Sequence, residues 1–204
     1  MPSRDKARGA GRAGRSGKVR TVDELTIDEH GRPEPPLESG EVATVLGFLA
    51  YQRATLDWKC GGLDDEQLRV ALPPSPMTLG GLLKHLARVE DYWFTEVVGG
   101  QPAPEPWASG ETSDDPDWDW ASAAADSGDY LRALWVERVR QSNAVVAAQL
   151  GKGEAPALSE PHPAWGGQGR ASLRWVLVHM IEEYARHNGH ADLIRESIDG
   201  QAGE

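Results

Sequence analysis

The residues best suited to chemistry are three histidines and one glutamate that recur near the C-terminus: His179, Glu183, His187 and His190. On a helix that turns about 100° per residue, these four side chains lie within about 80° of one another. The stripe adjoins apolar residues and therefore faces the interior of the fold. Burying such groups without a partner would cost several kcal/mol for each charged group. A divalent cation would supply that partner, because imidazole nitrogen and carboxylate oxygen bind zinc-like ions well.

Spacing limits which of these side chains can share one ion. Residues four apart lie one helical turn apart, about 6 Å, and can bind the same ion. His179 and His187 lie about 12 Å apart along the helix axis and cannot. Three pairs therefore stay open: Glu183 with His187, His179 with Glu183, and His187 with His190. Each pair needs a third ligand from another helix, and His85, within an apolar helical stretch, is the candidate.

Four segments have apolar residues at helical spacing, and they are the elements that must position these groups. Helices are predicted for residues 41–60, 78–98, 118 or 127 to 150, and 172–198. Thr78 suits an N-cap, and pairs of glycines follow the first two helices. No segment shows the sustained alternation of a strand, and residues 101–117 and 151–170 are predicted to be loops. The pattern predicts an all-α protein, a four-helix bundle over residues 37–200.

The first 36 residues differ in composition from the rest. Hydrophobic residues make up 39% of the 204-residue chain, and few of the large ones lie before residue 40. Seven Lys and Arg lie before residue 21, interleaved with Gly, Ala and Ser, and a Pro-rich run follows at residues 32–36. Residues 1–36 are therefore predicted to be a disordered basic and Pro-rich tail, with a tether to nucleic acid or membrane as the alternative.

Charge and hydropathy exclude several classes of protein. A net charge of −11 is unfavourable for nucleic acid as the main partner, because phosphate binding needs a dense basic surface. The chain has no secretory signal and no run of 18 apolar residues, so no membrane association is expected. The single cysteine, Cys60, cannot form an internal disulfide, which fits a structural thiol in a reducing cytoplasm.

Two stretches resemble the DinB-like superfamily of four-helix metal proteins. They are residues 77–94, which contain His85, and residues 174–195, which contain the stripe. The sequence is most similar to the actinobacterial branch of mycothiol transferases, which is related to the metal-binding domain of mycothiol-dependent maleylpyruvate isomerase. The resemblance covers roughly residues 37–198.

The resemblance implies a specific set of metal ligands. His85 matches the family's His-Leu step on the second helix. Residues 188–190 match the family's Arg-Gly-Gln, which places Glu183 and His187 on the other two ligand positions. Glutamate in place of the commoner first histidine departs from the usual pattern but occurs in the isomerase branch. His179 and His190 then either orient the ligands and transfer protons or are incidental polar residues beside the cavity.

The resemblance also implies an activity. The expected function is a metal-dependent thiol S-transferase that joins a small-molecule thiol, mycothiol, to an electrophile. Zinc fits the ligands best, and nickel, iron or manganese would also accept them. The alternatives are a metal-dependent hydrolase that uses the same site, or a metal- or ligand-binding stress protein without catalysis. A homodimer is also expected, on the assumption that four tryptophans form an exposed apolar surface: Trp58, Trp118, Trp120 and Trp135.

Overall fold

Four long helices form the body of the fold in the computed structural model, which describes residues 26–109 and 117–203. They are α1 (Glu41–Cys60), α3 (Leu79–Glu90), α5 (Gly128–Leu150) and α7 (Leu173–Asp199). Shorter helices lie between them: α2 (Asp65–Leu68), α4 (Trp118–Ser122) and α6 (Glu154–Ser159). α1 packs mainly against α7, and α3 packs mainly against α5. The predicted four-helix bundle is confirmed.

Side-chain caps fix where the two helices that carry the candidate ligands begin. The hydroxyl of Thr78 accepts a hydrogen bond from the backbone N–H of Gly81 at 2.9 Å, and α3 begins at the next residue. The hydroxyl of Ser172 accepts from the N–H of Trp175 at 3.3 Å, and α7 begins directly after it. Each cap satisfies an N–H that has no partner inside the helix. The sequence left two starts open for the third helix, residue 118 or residue 127. A helix begins at or next to each of them, because α4 and α5 are separate helices.

α3 continues without interruption into a π-helix, Asp91–Val98. The sequence predicts a single helix to residue 98, which gives the correct end but not this change of pitch. A π-helical turn is wider than an α-helical turn and rotates the side chains that follow it. The π-helix places Trp93 against α7, where its ring lies 5.1 Å from the ring of His179.

A short antiparallel hairpin precedes α7. Its strands are β1 (Pro161–Ala164) and β2 (Gly169–Ser172), joined by a 3-10 turn at Trp165–Gly167. The prediction that residues 151–170 are a loop, and that the chain has no sheet, is wrong, because α6 and the hairpin lie here. Four-residue strands that contain proline and glycine are too short to show an alternating pattern. Since β2 leads directly into α7, the hairpin lies at the N-terminal end of the stripe.

A buried polar network joins the four long helices. Arg53 on α1 forms two hydrogen bonds to the carboxylate of Glu90 on α3, at 2.8 and 2.7 Å. The hydroxyl of Tyr184 on α7 donates to the same carboxylate at 2.7 Å and accepts from the indole N–H of Trp135 on α5 at 2.9 Å. A buried ion pair of this kind has few alternative arrangements. It fixes the rotation of α7, and thereby the direction of Glu183 beside it.

Residues 26–36, the last part of the segment predicted to be a disordered tail, pack against α1. Arg32 is only 2% exposed and binds the carboxylate of Asp28 through Nε at 2.7 Å. Its guanidinium lies 4.6 Å from the ring centre of Tyr51 and 4.9 Å from that of Trp58. The composition did not indicate this contact, because the arginine stacks on aromatic rings of α1 and needs no apolar residue in its own segment. Residues 1–25 of the predicted tail lie outside the described residues.

The tryptophans named as an exposed surface are not exposed. Trp135 is buried, and Trp58, Trp118 and Trp120 are partly buried against other side chains. This reason for expecting a homodimer is therefore wrong, although the homodimer itself stays a prediction. Trp165 and Trp175 are the exposed tryptophans among the described residues. No helix within the described ranges has the length and apolarity needed to cross a membrane.

Candidate metal centre

Three of the predicted site residues meet between α3 and α7. His85 extends from α3, and Glu183 and His187 occupy successive turns of α7. Oε1 of Glu183 lies 3.3 Å from Nε2 of His85 and 3.2 Å from Nε2 of His187. Within this group, the three atoms that could bind an ion all lie within 4.8 Å of one another. The fold therefore brings together the trio implied by the resemblance.

The spacing of these atoms suits a small divalent ion. Ligand atoms about 2.0–2.1 Å from a tetrahedral zinc ion lie about 3.3–3.4 Å from one another. Two of the three separations are 3.3 and 3.2 Å, which is long for a hydrogen bond to a carboxylate but close to an edge of that tetrahedron. Two imidazoles and one carboxylate also form a donor set that zinc, nickel and iron accept. The residues present fit a divalent metal.

Electrostatics keep Glu183 ready to bind a cation. Hydrogen bonds from His187 and then from His85 hold the pKa of the Glu183 carboxyl well below its usual range, although burial acts in the opposite direction. The carboxylate therefore stays ionised at neutral pH and carries its charge between two imidazoles. An ionised carboxylate in a partly buried position is stabilised by any positive partner, and a divalent ion would be the strongest one.

Asp119 contacts the ring nitrogen of His85 that faces away from Glu183, and the sequence did not indicate this residue. Nδ1 of His85 lies 2.8 Å from Oδ2 of Asp119, and the indole of Trp120 stacks on the imidazole at 4.4 Å. Because a carboxylate can only accept, this contact keeps a proton on Nδ1 and directs Nε2 toward Glu183. Burial alone would lower the pKa of His85, but the hydrogen bonds with Asp119 and Glu183 outweigh it, so the pKa is raised.

His190 lies on the far side of His187. Nδ1 of His190 is 3.4 Å from Nδ1 of His187, whereas Nε2 of His187 points at Glu183. Burial, and then the neighbouring His187, lower the pKa of His190, so it is neutral over a wider range of pH. His190 therefore does not join the trio in this arrangement. It can orient the His187 ring, which is one of the roles predicted for it.

His179 lies one turn before Glu183, toward the hairpin. Its Nδ1 is 3.2 Å from a carboxylate oxygen of Glu182, and its ring stacks on Trp175 at 4.9 Å. His179, Glu182 and Glu183 form a second group whose potential ligand atoms lie within 4.8 Å of one another. All three come from one helix and Glu182 is exposed, so this group is less enclosed than the trio with His85.

Two features border the centre. Trp120, which contacts His85, also lines a cavity of about 230 Å³ together with Arg69, Thr78 and Asp126. On the other border, Trp93 and Trp175 contact His179, and Trp165 packs against both of these indoles. The sequence did not indicate either feature, because each depends on contacts between distant segments.

Cys60 is far too buried to act as a nucleophile. It is 1% exposed at the end of α1, and its thiol donates to the carbonyl of Leu79 at 3.9 Å. Burial raises the pKa of the Cys60 thiol to about 12. The thiol is thus protonated at any physiological pH, as expected of a structural cysteine.

Comparison with families of known proteins gives one relevant match. The model of a family described as mycothiol-S-transferase matches residues 44–200, which include α3, α7 and every residue of the candidate centre. No curated protein matches the chain.

Proposed function

Because the chain belongs to the mycothiol-S-transferase family, as the match over residues 44–200 shows, we propose that it joins mycothiol to an electrophilic small molecule in a metal-dependent reaction. The family also confirms the resemblance seen in the sequence. The observation that carries the proposal is the convergence of His85, Glu183 and His187 on one point between two helices. Three protein ligands leave a position open, which is typical of catalytic rather than structural sites.

A divalent ion bound at this centre would lower the pKa of a thiol beside it, so that the thiolate forms at neutral pH. The residues of the chain would prepare that site. Asp119 holds the proton on His85 and thereby aims Nε2 into the centre. His190 orients His187 in the same way, and the ionised Glu183 contributes negative charge that favours the ion.

The reaction itself is a displacement at carbon. The sulfur of the thiolate forms a bond to the electrophilic carbon, and the leaving group departs with the bonding electron pair. The thiol proton leaves to solvent. We assign His179 to this transfer, because its side chain is 25% exposed and lies beside Glu183, with its Nδ1 against Glu182.

The sulfur must come from a small molecule, since Cys60 is the one cysteine of the chain and is buried. A small-molecule thiol such as mycothiol is available in a reducing compartment, so we propose that the protein acts in the cytoplasm. Zinc is the proposed metal, because two imidazoles and one carboxylate are a known ligand set of catalytic zinc.

One assay separates the proposal from its two alternatives. The protein is loaded with zinc and incubated with mycothiol and iodoacetamide, and the products are identified by mass spectrometry. We expect the S-conjugate to form faster than without protein and the gain to disappear after chelation. The matched control, Glu183→Gln, keeps the shape of the side chain and should remove the gain. Hydrolysed electrophile without conjugate would instead identify a hydrolase, and no acceleration of either product would favour a binding protein.

A further inference from the structure

Three indoles pack together beside His179. Trp93 on the π-helix, Trp165 in the hairpin and Trp175 on α7 have ring centres 5.1–5.8 Å apart, and we call them the indole cluster. Trp93 is 5% exposed, but Trp165 is 48% and Trp175 is 43% exposed. Two adjoining indoles that keep nearly half of their surface in water form an apolar patch, and such patches on a soluble protein are commonly functional.

The backbone is strained in order to place one of these indoles. Trp165 has a φ of +50°, and it is the only non-glycine residue with a positive φ in the described ranges. A bulky side chain in this left-handed region is a genuine outlier. Its N–H donates to the hydroxyl of Tyr92 at 3.0 Å, which holds the conformation. A methyl group at Gly169 would lie 2.6 Å from the Trp165 ring, so a glycine is needed beneath it. Strain of this kind concentrates at functional sites.

The indole cluster is continuous with the candidate metal centre. His179 stacks on Trp175 at 4.9 Å and meets the edge of Trp93 at 5.1 Å. The same imidazole belongs to a group with Glu183 in which potential ligand atoms lie within 4.8 Å. Trp175 lies two helical turns, about 12 Å, before Glu183, so a molecule that rests on the exposed indole faces reaches the centre by extending past His179.

The surroundings of the cluster favour an apolar ligand over a sugar. Val178 is an exposed apolar residue on α7 near the cluster. Three charged side chains on the hairpin and α7 already have partners: Arg170 donates to the Pro161 carbonyl, Arg174 binds Glu41, and Glu182 is paired with Arg186. A sugar ring would need free hydrogen-bonding groups around the aromatic platform, whereas a flat apolar group needs only the ring faces.

We propose that the indole cluster is the subsite for the electrophile and that it selects electrophiles with an aromatic body. This inference rests on the proposed transferase function. Trp165 and Trp175 provide the faces on which the aromatic ring lies, and Trp93 supports both from the interior. The reactive carbon then points along α7 toward Glu183, where the thiolate is held.

Selectivity between two electrophiles tests the subsite. The full-length, zinc-loaded protein is assayed with mycothiol and either 2-iodo-N-phenylacetamide, which has an aromatic body, or iodoacetamide, which has the same reactive carbon but no aromatic body. Trp165→Ala and Trp175→Ala should each lower kcat/KM for the aromatic electrophile about tenfold, mainly through KM. In Trp165→Ala, activity with iodoacetamide should change less than about twofold. Trp165→Phe should restore part of the loss, and Tyr130→Ala, at an exposed aromatic residue near the start of α5, should change neither activity. Equal losses for both electrophiles, or no loss, would overturn the proposal.

A binding measurement keeps this inference separable from the proposed function. N-Phenylacetamide has the same aromatic body but no leaving group, so calorimetry reports binding without reaction. We expect the parent protein to bind it and both alanine variants to bind about tenfold more weakly. If no transferase activity exists but this difference is found, the proposed reaction fails and the aromatic subsite stands. If activity exists but the variants bind as the parent does, the subsite fails and the reaction stands.

Discussion

Single residues decide what the centre can bind. The candidate ligands alone would be ordinary histidines and a glutamate; their neighbours give each ring one orientation. A carboxylate oxygen of Asp119 contacts Nδ1 of His85, and Nδ1 of His190 contacts Nδ1 of His187. The Nε2 atoms of both rings are thereby directed at the same carboxylate oxygen of Glu183. Outer partners of this kind commonly contribute one to two orders of magnitude to metal affinity.

Asp119 provides the sharpest test at this scale. Asp119→Ala should weaken zinc binding about 10–100-fold, because His85 loses the acceptor that fixes its tautomer and direction. Asp119→Asn should lose less, since its carbonyl oxygen can still accept from Nδ1. Competition with a chromophoric chelator measures both affinities. Asp129→Ala, at a fully exposed carboxylate, is the control and should have no effect. An unchanged affinity in Asp119→Ala would show that the 2.8 Å contact is incidental.

Cys60 gives a second test, of the source of the sulfur. Cys60→Ala should keep the full transferase rate and the full requirement for added thiol, because the buried Cys60 cannot form a thiolate at neutral pH. The substitution should cost about 1–2 kcal/mol of folding free energy through lost packing. Loss of activity in a variant that stays folded and keeps its metal would mean that the chain supplies the nucleophile itself.

At the scale of elements, the hairpin carries an unusual histidine. His162 on β1 is 9% exposed, and its Nε2 has no hydrogen-bond partner among the described residues. Burial lowers the pKa of His162 below its ordinary value of 6.5, despite the nearby Glu160. The unfolded chain then binds a proton more readily than the folded protein, so stability is present above pH 6.5 and falls as the pH drops below it.

His162→Gln should therefore flatten the pH dependence of unfolding. The parent should lose melting temperature between about pH 7 and pH 5, and the variant should lose less over the same interval. Scanning fluorimetry across this range measures both curves, with His30→Gln as the matched control. Parallel curves for the parent and His162→Gln would contradict the assignment.

The long helices could be predicted from the sequence, and the short elements could not. Apolar residues at helical spacing and caps such as Thr78 and Ser172 are local signals, and local signals were sufficient for α1, α3, α5 and α7. The π-helix, α6 and the hairpin depend on contacts with distant residues. Asp119 lies on the five-residue helix α4 and reaches His85 across 34 positions. Neither spacing nor composition can show such a contact.

The sequence likewise predicted only part of the candidate site. Helical geometry alone left three ligand pairs open, and only the family resemblance selected Glu183 with His187. The tryptophans were misjudged because a hydrophobic count does not say which indoles are covered. Trp135 is buried and donates a hydrogen bond to Tyr184, whereas Trp165 lies at a strained turn and is exposed.

At the scale of the whole molecule, residues 26–36 attach to the bundle through the contacts of Arg32 with α1. Arg32→Ala should destabilise the protein by about 2 kcal/mol, because the guanidinium binds Asp28 and stacks on two aromatic rings of α1. Chemical denaturation measures this change. Arg140→Ala, at an exposed arginine of α5, is the control and should change stability by no more than about 0.5 kcal/mol. An equal effect of the two substitutions would mean that residues 26–36 contribute nothing to the fold.

The central proposal at this scale is that a single divalent ion binds between α3 and α7. Elemental analysis of protein purified without chelators measures this directly. We expect close to one divalent ion per chain in the parent and in His179→Ala. We expect nearly none in Glu183→Gln and His187→Ala, which each lose a ligand on α7. We expect the same in His85→Ala, since two ligands from one helix rarely hold a labile ion alone. A parent protein that contains no metal and takes up neither zinc nor nickel would contradict the proposed centre, as would a His179→Ala variant that is empty while Glu183→Gln is full.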